Sequence, residues 1–158
     1  MAISKEVLNQ YTDLRQEIVE TKEKIAKLEN QIGKLENRIS EIEAGEVVKD
    51  KVKGGMGGIQ TFTIEGFPTN EYHKKKMELY IKRELLASRK DILRTLELEI
   101  LRQLNEIEEF IKSLSDSYLR QIVTLRVING LSWGEVAMNL GSGCTEDSAR
   151  MMFNRCFK

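Results

Sequence analysis

Three polar side chains near the end of the chain have the chemistry needed to read nucleic-acid bases. Arg150, Asn154 and Arg155 lie away from the apolar side, marked by Ala149 and Phe153, of a predicted final helix. Arginine donates paired hydrogen bonds to guanine, and asparagine pairs with adenine. The chemistry expected of this segment is therefore hydrogen bonding to base edges, with Arg150 and Asn154 as the base-reading candidates.

The same helix supplies groups suited to a phosphate backbone. Ser148, Arg155 and Lys158 are predicted phosphate contacts, and Thr145 is predicted to cap the helix. The predicted DNA-contacting residues are Thr145, Ser148, Arg150, Met151, Asn154, Arg155 and Lys158. A merely solvated polar face is the competing interpretation, because two arginines on a short helix are common.

Catalytic and metal-binding sets are not predicted anywhere in the chain. His73 is the single histidine, and Cys144 and Cys156 are the two cysteines, which gives neither a disulfide framework nor four zinc ligands. The glycine-rich run near Gly54 lacks the Gly-Lys-Ser/Thr sequence of a phosphate-binding loop. We therefore expect no enzyme activity, no metal and no cofactor.

Composition favours helices over a thick core. Charged residues make up 32% of the chain, there is one proline, and the net charge is zero, so DNA contact must depend on local arrangement. No apolar run reaches the ~18 residues that span a bilayer, and no signal peptide is evident. An all-α cytoplasmic protein, without membrane contact, is predicted.

The first predicted element is a coiled-coil helix over residues 1–44. Apolar residues repeat with heptad spacing from residue 11 to residue 42, with isoleucine at one position and leucine at the other. That combination favours a parallel two-stranded coil, so we predict a homo-oligomer, a dimer. The predicted oligomerisation residues are Ile18, Ile25, Leu28, Ile32, Leu35, Ile39 and Ile42.

A connector over residues 45–70 separates this helix from a second long helix over residues 71–113. Glycines and the sole proline, Pro68, end the first helix, and a β-branched stretch from Ile59 to Ile64 predicts a short strand or hairpin. The second helix carries its own apolar stripe. Its partner is either the first helix, folded back as an antiparallel hairpin, or a helix of another subunit.

Residues 114–158 predict a small domain of three short helices. The first runs from about 115 to 129 and ends at Gly130; the second, 133–140, opens with a Ser132 and Glu135 capping box; the third covers about 146–157. Trp133 is expected to fill the core of this domain, given the area that tryptophan buries. Three short helices with tight turns indicate a helix-turn-helix.

These residues resemble a known family. The run from Leu125 to Ala137, LRVINGLSWGEVA, resembles the core of region 4 of bacterial sigma factors, and the C-terminal half resembles sigma-70-like phage regulators of the RinA/ArpU type. The resemblance implies a sequence-specific DNA-binding regulator of a phage or prophage, an activator with host RNA polymerase as a further partner. It also implies a structural pair between Arg126 and Glu135. Nothing resembles the sigma region that melts promoters, so a complete sigma factor is not expected.

Two other functions stay open on the sequence. In one, the coiled coil captures a protein partner, as an inhibitor or scaffold, without DNA; the neutral charge and the acidic Glu146 and Asp147 favour it. In the other, the chain is a phage packaging subunit that binds DNA as part of a ring. The sequence does not choose between activation and repression.

Overall fold

Two long helices, a β-hairpin and a group of short helices make up the part of the protein that the structure describes. The computed structural model describes residues 3–45, 48–54 and 60–157. Its elements in chain order are α1 (Lys5–Glu43), β1 (Val48–Gly54), β2 (Gln60–Gly66), α2 (Thr69–Ser113), α3 (Ser117–Val123), a π-helical segment (Thr124–Ile128), α4 (Trp133–Leu140) and α5 (Glu146–Arg155). The predicted all-α class is confirmed, and both long helices end within a residue or two of their predicted C-terminal limits.

The predicted connector contains an antiparallel β-hairpin. Strand β1 pairs with β2 from Val48 opposite Gly66 to Gly54 opposite Gln60. Strand β2 coincides with the β-branched stretch that predicted it, whereas β1 alternates lysine with valine and aspartate and carries a weak strand signal. Pairing with β2 supplies the backbone hydrogen bonds that β1 needs.

The chain forms two compact units that divide both long helices. The hairpin unit covers Lys22–Asp91, and the C-terminal unit combines the segment up to Thr21 with the chain from Ile92 onward. The predicted boundaries at 44, 70 and 113 follow helix ends and so do not coincide with these units. A long amphipathic helix can contribute to two cores, because the apolar side chains of its different turns can pack against different neighbours.

In the hairpin unit, α1 and α2 are antiparallel. Lys90 pairs with Glu29 at 2.8 Å and Arg83 with Glu36 at 2.6 Å, so numbers rise along α1 as they fall along α2. Between the helices Ile32, Leu35, Ile39 and Leu79 form a buried cluster, against which Tyr72 and Leu86 pack. Of the two arrangements open on the sequence, the folded-back hairpin is therefore the one observed.

The residues predicted to form an oligomer are buried inside a single chain. All seven, from Ile18 to Ile42, are at most 9% exposed without any second subunit. The parallel pairing expected from isoleucine and leucine is replaced here by antiparallel pairing, because α2 follows α1 through a short hairpin and presents its own apolar stripe. The homo-oligomer stays a prediction, but the apolar stripe of α1 no longer supports it, because α2 covers that stripe.

The C-terminal unit has its core where the start of α1 meets α2 and the short helices. Trp133, Tyr118 and Met152 pack against this core. The core itself consists of seven buried residues: Leu8, Tyr11, Ile107, Ile122, Val123, Val127 and Phe153. The start of α1 is thus part of the core of the small domain.

Within the described ranges 3–45, 48–54 and 60–157, no helix has both the length and the apolar character needed to cross a membrane.

Candidate nucleic-acid interface

Local capping fixes the ends of α4 and α5. The Ser132 hydroxyl accepts from the backbone N–H of Glu135, and the Glu135 carboxylate accepts from the backbone N–H of Ser132 at 2.7 Å, which completes the predicted capping box. The Ser132 hydroxyl and backbone N–H lower the pKa of Glu135. At α5, the Thr145 hydroxyl accepts from the backbone N–H of Ser148 at 3.2 Å. The predicted caps at Ser132 and Thr145 are confirmed.

The turn between α4 and α5 uses two glycines. Gly141 has φ of +90° and Gly143 has φ of +120°, backbone conformations that other residues rarely adopt. Between them and α5 lies Cys144, whose N–H donates to the Gly141 carbonyl at 3.3 Å. This turn ends α4 and allows α5 to begin in a new direction.

Helix α5 has a buried face and an exposed face. Ala149 is fully buried and Phe153 is 6% exposed, whereas Met151 is 57% exposed. Phe153 packs edge-on against Trp133, with ring centroids 5.3 Å apart. The predicted orientation of the helix, with Ala149 and Phe153 toward the core, is confirmed. Trp133, predicted to fill the core, is half-buried and packs against it.

The predicted DNA-contacting residues fall into three groups. Arg150, Met151, Asn154 and Arg155 are exposed on α5 and lie together on its outer side. Thr145 is exposed at the N-terminus of the helix, and Ser148 is half-buried; the structure uses both in the cap. Lys158 lies outside the described residues.

One exposed residue of α5 is held near an acidic neighbour. The Arg150 guanidinium lies 3.7 Å from the Asp147 carboxylate, with the two side chains 60% and 83% exposed. An ion pair this exposed is weak, so it leaves Arg150 available to another anion. Asp147 and Glu146 lie in the first turn of α5, where negative charge is favoured by the helix dipole.

The start of α1 reaches the outer side of α5, which no sequence pattern indicated. The Lys5 ammonium donates to the Asn154 side-chain oxygen at 2.9 Å. A cleft of about 490 Å³ opens beside this contact, and its lining includes Asn9, Arg126 and Arg150. The candidate interface is therefore composed of α5 and the first residue of α1.

The predicted pair between Arg126 and Glu135 is not formed, although both residues are described. The Arg126 guanidinium donates to the Leu131 carbonyl at 2.7 Å and lies 4.8 Å from the centre of the Trp133 ring. Glu135 is held instead by Ser132. The resemblance was wrong on this contact, because the capping box holds the carboxylate at the start of α4 and the indole ring attracts the guanidinium.

A second residue of α1 supports the small domain from outside. Arg15 donates to the backbone carbonyls of Val127 and Ile128, at 3.4 and 2.5 Å. These carbonyls lie at the end of the π-helical segment, where Gly130 turns the chain with φ of +71°. Helix ends leave carbonyls without intrahelical partners, so Arg15 satisfies groups that the turn leaves open. Sequence reasoning missed Arg15, since the contact spans more than a hundred residues.

The lysine run of α2, Lys74 to Lys76, is another place where positive charge is concentrated. Lys76 pairs with Glu43 at 3.2 Å and lies 5.1 Å from the centre of the Tyr72 ring, and Lys75 is 4.0 Å from Glu78. Neighbouring carboxylates thus compensate much of this charge. The run is a weaker candidate for DNA contact than α5.

Both cysteines are free thiols. Cys156 is half-buried, and burial raises the pKa of its thiol. The Cys156 thiol donates to the Met152 carbonyl at 3.6 Å. A half-buried thiol in this environment packs as a small apolar side chain.

Comparison of the chain with family models, with curated proteins and with solved structures gave no match.

Proposed function

We propose that the protein is a sequence-specific DNA-binding transcription regulator of a phage or prophage, with α5 as the recognition helix. One observation carries the proposal: α5 buries Ala149 and Phe153 while its outer side presents Arg150, Asn154 and Arg155. A short helix that follows a tight turn, with exposed arginine and asparagine, suits the major groove of duplex DNA.

Each exposed residue has a distinct expected role. Arg150 and Asn154 read bases, and Arg155, nearer the C-terminal end of α5, holds a phosphate. Met151 lies among these polar residues and is 57% exposed, so it offers an apolar contact for a thymine methyl group. The protein works without catalysis, metal or cofactor in the bacterial cytoplasm, as an activator that also contacts host RNA polymerase.

The test is fluorescence anisotropy on a selected duplex and on its scrambled control, at two salt concentrations. Arg150→Ala and Asn154→Ala should each cost ~1–3 kcal/mol on the selected duplex and relax discrimination, because base contacts carry specificity. Arg155→Ala should weaken binding to both duplexes alike and reduce the salt slope by about one.

A matched control comes from α2. The side chains of Arg102 and Arg150 are both 60% exposed, but Arg102 pairs with Glu99 and Glu106 on its own helix. Arg102→Ala should leave affinity and salt slope unchanged. If wild type binds neither duplex at low salt while circular dichroism shows it folded, the DNA proposal fails.

A protein partner without DNA is the second candidate. One observation favours it: α2 exposes Met77, Ile81 and Leu85, which are 61%, 57% and 42% exposed and lie on one side of the helix at four-residue spacing. The α1 stripe, by contrast, is buried within the chain. Replacing Met77 and Ile81 by glutamate distinguishes the two functions, because it should abolish partner capture and spare DNA binding.

The packaging-subunit alternative requires a large ring. Light scattering at micromolar concentration decides it, since a ring has many times the mass of the 18.2 kDa chain. A monomer or a dimer that binds the selected duplex excludes this alternative.

A further inference from the structure

We propose that Lys5 sets the base preference of Asn154, so that the pair reads guanine where an unpaired asparagine reads adenine. This inference rests on the proposed DNA-binding function and adds a specificity residue to it. The two residues are separated by 149 positions, and the Lys5 ammonium lies 2.9 Å from the Asn154 side-chain oxygen.

The contact determines the orientation of the asparagine amide. An ammonium group can only donate, so its partner on Asn154 must be the amide oxygen. The amide nitrogen, on the other branch of the planar group, is then directed away from Lys5. Asn154 therefore offers its two N–H groups to a ligand on the outer side of α5.

This orientation conflicts with adenine recognition. In the major groove adenine presents one acceptor, N7, and one donor, the N6 amine, so asparagine must both donate and accept. In this structure the accepting oxygen of Asn154 is turned toward a cation. The ammonium would also face the N6 amine, and two donors do not bind each other.

Guanine matches the pair better. Its major-groove edge presents two acceptors, N7 and O6. The Asn154 amide nitrogen and the remaining N–H groups of Lys5 together supply two donors. A duplex seated on α5 would also exclude water from the contact, and a charge-assisted hydrogen bond is stronger there than in the exposed state.

The position of Lys5 gives independent support. It is the first residue of α1, where a cation is opposed by the helix dipole, so it does not stabilise the helix that carries it. It borders the cleft of about 490 Å³ whose lining includes Arg150, the other base-reading candidate, and Asn9. Lys5 is therefore placed to donate to a ligand bound at α5, and its charge does not stabilise α1.

The experiment is random-library duplex selection with the full chain as wild type, Asn154→Ala, Lys5→Met and Lys5→Arg. Loss of preference in Asn154→Ala identifies the base position that Asn154 reads. Wild type should select guanine at that position. Lys5→Met keeps the length of the side chain without its donors and should shift the preference to adenine by about tenfold. Lys5→Arg keeps a donor and should retain guanine.

Three outcomes overturn the inference without touching the proposed function. If wild type selects adenine at the Asn154 position, or Lys5→Met keeps guanine with undiminished discrimination, Lys5 does not set the preference. If Lys5→Met weakens binding to every sequence alike, Lys5 is a phosphate contact. In all three the DNA-binding function stands. If wild type selects no sequence, the proposed function fails and the inference fails with it.

Discussion

The two parts of α1 pack against different kinds of surroundings. In the hairpin unit α1 packs against α2, and the four residues of the buried cluster keep 5–8% exposure. In the C-terminal unit, Leu8 and Tyr11 join a core built by several helices, where Ile107 and Ile122 are fully buried. One heptad pattern thus serves two kinds of packing, against a single long helix in the hairpin unit and within a core of several helices in the C-terminal unit.

The largest expected difference between the two units is in how much stability is lost when a substitution creates a cavity. Ile122→Ala should lower the free energy of unfolding by about 2–5 kcal/mol, because a fully enclosed site cannot collapse around the lost atoms. Ile32→Ala should cost less, since its two-helix site is open to water at the edges. Urea unfolding followed by circular dichroism measures both. A greater loss for Ile32→Ala would contradict the comparison.

The support that α1 gives to the small domain should be the next largest effect. Arg15→Met removes the charged donor from the Val127 and Ile128 carbonyls and should cost about 1.5–3 kcal/mol, the range for hydrogen bonds to charged groups. The same unfolding assay applies. Arg102→Met, which removes an arginine from the exposed surface of α2, is the control. Equal losses for the two variants would show that Arg15 has no supporting role.

Sequence reasoning succeeded where the signal was local. Heptad spacing predicted both long helices, Gly130 marked the turn before α4, and the capping residues Ser132 and Thr145 marked the starts of α4 and α5. The outer side of α5 followed from helical periodicity alone. Each of these features depends on residues within a few positions of one another.

Contacts between distant residues were beyond such reasoning. The rule that isoleucine and leucine at these positions favour a parallel coil applies to pairs of identical helices. It does not cover a chain in which a different helix, α2, carries a complementary apolar stripe. The partner of Arg126 was taken from a resemblance, and the structure gives it the Leu131 carbonyl and Trp133 instead. Lys5 and Arg15 contact the small domain across more than a hundred residues, and no local pattern encodes such a contact.

The smallest expected effect concerns the ion pairs of the hairpin unit. Arg83 and Glu36 are 2.6 Å apart, but their side chains are 58% and 45% exposed. A double-mutant cycle with Arg83→Met and Glu36→Gln should give a coupling of about 0.2–1 kcal/mol, because water weakens exposed pairs. High salt should reduce it further. Coupling above ~2 kcal/mol that persists in salt would mean that this unit depends on charge more than on its apolar stripe.

The most direct test of the central claim is an NMR titration of the labelled full chain with the selected duplex. Amide signals of α5 and of Lys5 should shift together, while those of the lysine run from Lys74 to Lys76 should stay in place. Shifts confined to the lysine run, or no shift anywhere at low salt, would contradict the assignment of α5 as the DNA-reading helix.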